Sequence, residues 1–213
     1  MKKLSKGEIT YHLILSEARE VFNAEGINMT LKELSTKMGV TVGKITNHFP
    51  TKDHLFVGLS KQYQLDYTEL MSSFDWNDEY SMQKLHELTG LIMDLQFRHR
   101  CLLLFVCATG MNQHLMIQQI KVTWKENLSG FQDLISALIQ FGLLKKEAIE
   151  EGNFSMIRFQ FINLFTTWLV SLTIYDNDTP YTKTKAVYQK GILYCLYPFF
   201  TSKGLTQLST LAY

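Results

Sequence analysis

Apolar residues recur at intervals of three and four along most of this chain, broken by short runs that carry helix-capping signals. That pattern predicts helices joined by tight turns, and so an all-α fold of about nine helices. The first spans residues 6–25. Ser5-Lys-Gly-Glu8 has the form of a capping box, Leu13 or Ile14 with Ala18, Val21 and Phe22 lines the inner face, and Gly26 stops it. Thr30 and Glu33 form a second capping box, followed by Leu31, Leu34 and Met38 on one face of a short helix. Gly39 stands where a left-handed C-cap residue sits, Val40 plugs the turn, and Thr41 caps a third helix beginning at Val42. Ile45 and Phe49 face inward, with Val42 or Val40, until Pro50 drives Phe49 out of the α region. Thr51 caps a fourth helix over 52–73, with Leu55, Leu59, Tyr63, Tyr67 and Leu70 at helical spacing. Further helices follow: one capped by Asp78 or Ser81 and running to about 99, an apolar one over 101–109 that should be buried all round, and a long one over 112–141. Two last ones cover 154–175 and 182–200.

Helix, three-to-four-residue turn with glycine, helix is the plan of a helix-turn-helix DNA reader, and residues 30–52 (TLKELSTKMGVTVGKITNHFPTK) follow it. Gly39-Val40-Thr41-Val42-Gly43-Lys44-Ile45-Thr46-Asn47-His48-Phe49, with Lys52, Asp53 and Leu55 after it, resembles the signature of the TetR family of transcriptional regulators. Ile14, Ala18, Phe22 and Gly26 fall where that family carries its first helix and terminating glycine, and residues 30–35 resemble its second helix. The match covers roughly the first quarter of the chain. It departs at Thr46, where the family commonly has a tyrosine that touches a DNA phosphate.

Lys44 is the best candidate for base contact, because an extended donor reaches guanine O6 and N7 in the major groove. Thr41, Thr46, Asn47, His48 and Lys52 are read as phosphate contacts that set register. Thr30 and Val42, at helix starts, complete the DNA-binding set.

Composition narrows the picture. The chain has 213 residues, is 46% hydrophobic and holds 3 prolines, enough apolar material for a sizeable helical core. Net charge is only +1, and residues 1–55 hold eight Lys/Arg against six Asp/Glu, so the DNA reading rests on the motif and not on charge. Cys101, Cys107 and Cys195 lack pairing or metal-site spacing and read as reduced, buried small hydrophobes of a cytoplasmic protein. No export signal is evident, and the apolar region 159–175 is interrupted by Gln160, Asn163, Thr166 and Thr167, so a buried helix is expected there and no membrane partner.

The histidines at 12, 48, 54, 86, 99 and 114 are scattered, and no HExxH, CxxC, GxSxG or phosphate-cradling loop occurs. No enzyme, metal or cofactor is expected. Arg98-His99-Arg100 reads as cations at a helix C-terminus, with an anionic effector site as the alternative.

The resemblance implies an N-terminal reading domain, residues 1–55, and a ligand-binding and dimerisation domain, 56–213. For a small-molecule effector the candidates are Phe97, Phe105, Met111, His114, Trp124, Phe161 and Phe165. For a homodimer interface they are Phe154, Ile157, Trp168, Leu172, Tyr188 and Ile192. The function expected is a ligand-responsive repressor acting on a near-palindromic operator in double-stranded DNA. The rivals are an interaction module with the same fold but no DNA binding and, further off, a small helical enzyme.

Overall fold

A computed structural model describes residues 5–75, 80–109 and 114–211; between 109 and 128 it describes the side chains of Leu115, Ile117 and Gln118 alone. Among the described residues there are ten α-helices and no strand, apart from one bridge pairing Leu144 with Phe200. The helices are α1 (Lys6–Glu25), α2 (Leu31–Lys37), α3 (Val42–Thr46), α4 (Lys52–Ser73), α5 (Met82–Arg98), α6 (Arg100–Thr109), α7 (His114–Gln140), α8 (Glu151–Tyr175), α9 (Tyr181–Tyr194) and α10 (Ser202–Ser209). Short 3₁₀ turns occupy Lys146–Ile149 and Tyr197–Phe199.

Local chemistry explains most of these boundaries. The Ser5 and Thr30 capping boxes both form, each hydroxyl accepting from the backbone N–H three residues on and each glutamate reaching back to the cap N–H. Such a cap is worth about 1 kcal/mol. Gly39 and Gly142 end their segments at φ of 66° and 71°, left-handed values that suit glycine. Ser81 accepts from the Lys84 N–H and caps α5; its rival Asp78 lies outside the described residues.

Three expectations change. Helix α6 is buried along one side only: Cys101, Leu102 and Phe105 are inside, while Cys107 and Ala108 are exposed. Cys107 is therefore no core thiol, although all three cysteines are free. The last expected helix, 182–200, ends earlier at Tyr194, and beyond it Thr201 accepts from the Gly204 N–H and starts a further helix, α10, so that ten helices are described where about nine were expected.

The chain divides into two compact units, one of residues 1–66 with 98–121, the other of 67–97 with 122–213. In the first, Ile14, Leu15, Ala18 and Phe22 of α1 pack with Leu34, Ile45, Phe49, Leu55, Phe56 and Leu59, and with Cys101, Leu102 and Phe105 of α6. In the second, Met82 and Leu85 join Phe131, Ile135 and Leu138 of α7, Ile157 of α8, Leu193 and Leu196, and the C-terminal Phe200, Leu208 and Leu211. Helix α8 is long and apolar enough to cross a membrane by length and composition alone, at a mean hydropathy of 1.2, because Gln160 and its polar neighbours dilute but do not break the run. It packs against α9 and buries Ile157, Trp168, Leu169 and Leu172 within its own unit.

Helix α4 approaches α1 closely at Gly58, where an added Cβ would stand 2.8 Å from the Phe49 ring and 2.9 Å from Leu15. Gly58→Val is expected to lose about 1–3 kcal/mol through overpacking. Thermal or denaturant unfolding would measure it, and a variant as stable as the wild type would contradict this close approach.

Candidate nucleic-acid interface

Helix α3 is short because each end is fixed locally. The Thr41 hydroxyl accepts from the Lys44 N–H at 3.3 Å and starts it; the chain then turns ahead of Pro50, with the Phe49 N–H bonded to the Ile45 carbonyl at 2.8 Å. Ile45 and Phe49 are fully buried and act as the two anchors of the segment. Tyr11 of α1 braces the second anchor, with ring centroids 4.8 Å apart, and meets His48 edge-on at 6.2 Å.

The anchors decide what faces out. Thr41, Val42, Gly43, Lys44 and Asn47 are exposed, and Thr46 and His48 are half-buried. Lys44 thus extends from a short helix with its inner face pinned, between two small residues or caps that leave room for an approaching surface. Two of the candidate hydroxyls are already engaged within the fold. Thr30 donates to Glu33 at 2.8 Å inside its capping box, and Thr41 is the cap of α3. Thr46 turns its hydroxyl toward the Gly43 carbonyl at 3.5 Å. The bond from the Thr30 backbone holds the Glu33 carboxyl below the usual range, so a fixed anion sits at the start of α2.

Lys52 is placed differently from Lys44. Its ammonium turns inward and donates to the Ile27 carbonyl of the α1–α2 turn, and burial lowers its pKa.

A second constellation braces the same unit from the other side, and nothing in the local sequence pattern signals it. The Asn23 amide donates to the Arg98 carbonyl at 2.8 Å, its oxygen accepts from the Cys101 N–H at 3.0 Å, and Arg100 donates to the Asn23 carbonyl at 2.9 Å. His99 is buried and contacts Asp66 of α4 at 2.8 Å, with Tyr63 edge-on at 5.4 Å. Arg98-His99-Arg100 is therefore a structural junction, with its histidine and second arginine committed inside the fold.

Four of the effector candidates can be placed, each within its own unit. Phe105 stacks on Phe56 in the first unit's core. In the second unit Phe161 lies between Phe131 and Phe165, at 4.8 and 5.2 Å, while Phe97 stacks on Tyr181 at 4.1 Å. Met111 and the side chains of His114 and Trp124 lie outside the described residues. Two shallow grooves, of about 310 Å³ along His12, Ser16, Arg19 and Gln62 and about 260 Å³ along Arg158, Phe159, Ile162 and Asn163, are lined by none of these seven. Of the interface candidates, Ile157, Trp168, Leu172 and Ile192 are buried within one chain, Phe154 packs against the second core, and Tyr188 donates to Asp176 at 2.5 Å. They present little surface to a second copy: those on α8 lie on the stripe turned toward its own unit, and on α9 Ile192 is buried and Tyr188 half-buried.

The first unit thus contains a three-helix head with a helix-turn-helix, carried by an otherwise helical chain. Residues 14–59 match the family model described as bacterial regulatory proteins, tetR family. No curated protein sequence matches the chain. Among solved structures it is similar to a TetR-family transcriptional regulator from Marinobacter aquaeolei VT8, at 15% identity and a TM-score of 0.75 over 94% of this chain and 96% of that one. It is also similar to the fatty acid degradation regulator FadR from Bacillus halodurans (14%, TM-score 0.63, 92% and 97% covered). The ketosteroid transcriptional regulator KstR2 of Mycobacterium tuberculosis is a third (17%, TM-score 0.59, 94% and 98%). Residues 14–59 thus match the tetR-family model, and the chain is similar in fold to these TetR-family regulators.

Burial holds the His99 pKa below its ordinary 6.5, against the pull of Asp66; the Arg19 and Arg98 charges act with burial. The folded state therefore resists a proton that the unfolded chain accepts. The stability contributed is fully present above 6.5 and is lost as pH falls from there through the folded value. Unfolding followed across that window should show stability declining toward acid, and His99→Gln should flatten the decline. His86, also lowered by burial, adds a similar slope that the variant leaves in place. An unchanged slope in His99→Gln would remove His99 as its source.

Proposed function

We propose that this protein is a dimeric, sequence-reading DNA-binding regulator, a repressor that leaves its operator when a small molecule binds the residues beyond the head. The observation that carries the reading is Lys44, exposed on the side of α3 opposite the buried Ile45 and Phe49, within the segment that matches the family model. Residues 1–55 act as the reader and 56–213 as the ligand-binding and dimerisation part. Two reading helices enter successive major grooves about 34 Å apart. Lys44 contacts base edges, while Thr46, Asn47 and His48, with the exposed start of α3, contact phosphates and set register. An effector that binds one spacing of the heads better than the other couples to DNA by about 1–3 kcal/mol.

Dimerisation has physical support on α8 and α9. Met156, Phe159, Asn163, Thr167 and Ile174 form an exposed stripe at helical spacing on α8, with Phe159 69% exposed. Lys183, Val187, Gly191 and Tyr194 form another on α9, with Val187 71% exposed. The apolar members left bare on these paired helices, Met156, Phe159 and Ile174 with Val187 and Tyr194, mark an association site. These stripes replace the buried set as the proposed interface.

One specific observation favours a rival, an interaction module without DNA binding: Thr46 stands where the family has its phosphate-touching tyrosine. Binding of the full chain to the DNA flanking its own gene, over a salt series, separates the two. The regulator predicts a saturable footprint of two spaced half-sites, and Lys44→Ala should lose about 1–3 kcal/mol of preference for it. Binding that is absent or equal on random DNA would support the interaction module. Sedimentation of Phe159→Glu/Val187→Glu should give a monomer where the wild type gives a dimer; a variant that stays dimeric would move the interface elsewhere.

A further inference from the structure

Three segments of the first unit meet at the Lys52 nitrogen. Besides donating to the Ile27 carbonyl, the ammonium lies 5.9 Å from the centroid of Phe22, near the end of α1, and 6.0 Å from that of Phe105 on α6. The rings beneath it are layered. Phe56 and Phe105 stack at 3.6 Å with planes 2° apart, and Phe22 packs on Phe56 at 5.0 Å. A cation over aromatic faces regains part of what it loses on leaving water, and more so where water is excluded. The Asp53 and Glu33 carboxylates nearby pull the same way, against the burial that weakens its hold on the proton. The lysine at the start of α4 is thus engaged by the fold at its charged end.

We propose that Lys52 is a positioning residue that ties α6 to the α1–α2 turn, so that the seating of Phe105 sets how firmly the reading segment is held. This rests on the DNA-reading function proposed above. With Phe105 seated, Lys52 is no phosphate contact. Withdrawing Phe105 removes one of the two rings that compensate the ammonium and loosens its hold on Ile27, the residue that leads into α2. Movement of α6 is thereby passed, through Lys52, to the turn that leads into α2 and so to the support of α2 and α3. Cys101 and Leu102, buried beside Phe105, make α6 a fixed part of this core and not a passing contact.

The test has two arms, one independent of DNA. In the full chain, the Lys52 side-chain ε-CH₂ signals should be shifted upfield by the Phe22 and Phe105 rings and should move toward those of exposed lysines in Phe105→Leu, with helix content retained. Wild-type Lys52 signals that coincide with those of exposed lysines would overturn the proposal. In the second arm, Lys52→Met, Lys52→Arg, Phe105→Leu and the Met/Leu double variant bind the footprinted DNA over a salt series. A positioning role predicts that Lys52→Met and Phe105→Leu each weaken specific binding by roughly two- to thirtyfold. Their effects should combine non-additively, the salt slope should stay at the wild-type value, and Lys52→Arg should restore most of the loss. A phosphate contact predicts that Lys52→Met lowers the salt slope by about one unit and adds independently to Phe105→Leu, which would overturn the proposal. Should the wild type bind no DNA at any salt, the regulator reading fails, and the ring-current arm alone decides where Lys52 sits.

Discussion

The Phe22, Phe56 and Phe105 layer is the contact on which the rest of the head depends. Each ring comes from a different helix, α1, α4 and α6, and all three are almost wholly buried. The Phe22–Phe56 pair, tilted at 5.0 Å, is of the kind that adds about 0.5–1.5 kcal/mol beyond the area it buries. The consequence for organisation is larger than the energy. A helix-turn-helix of three helices has a small core, and this one is completed by residues that lie some fifty positions downstream of Phe56. The reading segment is therefore held by a core that it does not itself contain, and α6 cannot shift without disturbing α1 and α4.

The junction at 98–101 applies the same constraint through polar groups. Asn23 satisfies a carbonyl and an N–H at the break between α5 and α6, where helix ends leave such groups without intrahelical partners. His99 reaches α4 through Asp66 in the same four residues. Buried polar groups are costly unless bonded, so these contacts fix one arrangement of α1, α4 and α6 more sharply than apolar packing would. The aromatic layer supplies the attraction and the junction supplies the register.

What was legible in the sequence follows from the range of each interaction. The capping boxes at Ser5 and Thr30, the left-handed Gly39, the Thr41 and Thr51 caps and the break at Pro50 all act within four residues, and a linear pattern records them. The inward pair Ile45 and Phe49 follows from helical spacing once those ends are placed. Asn23, Asp66 and Lys52 look like ordinary surface residues because their partners lie twenty-five to seventy-eight positions away. The two stripes of α8 show the same limit. The sequence places apolar residues on both, 154-157-161-168-172 on one and Met156, Phe159 and Ile174 on the other, and spacing alone does not say which one turns inward. Helix α10 is harder to read for a simpler reason: Pro198 looks like an ending, and the Thr201 cap that starts α10 follows it by only three residues.

The electrostatics of the head bear on how such a reader must work. Its basic excess is small, and several of its cations are committed within the fold: Arg19 to Glu20 at 3.0 Å, Lys37 to Glu25 at 2.7 Å, and Lys52 to the Ile27 carbonyl. Surface pairs of the first kind are weak and exchange partners readily, whereas the Lys52 contact is sheltered. Because counterion release scales with the number of phosphates neutralised, a single head of this kind has little sequence-independent affinity. Two heads on one dimer change that balance. Binding by the first raises the effective concentration of the second without any new contact, and the gain vanishes when the heads cannot span both half-sites together. A weakly charged reader is consequently more sensitive to head spacing than a strongly basic one. On the dimeric reading proposed above, that dependence on spacing makes binding by so weakly charged a head depend on whatever sets the distance between the two copies.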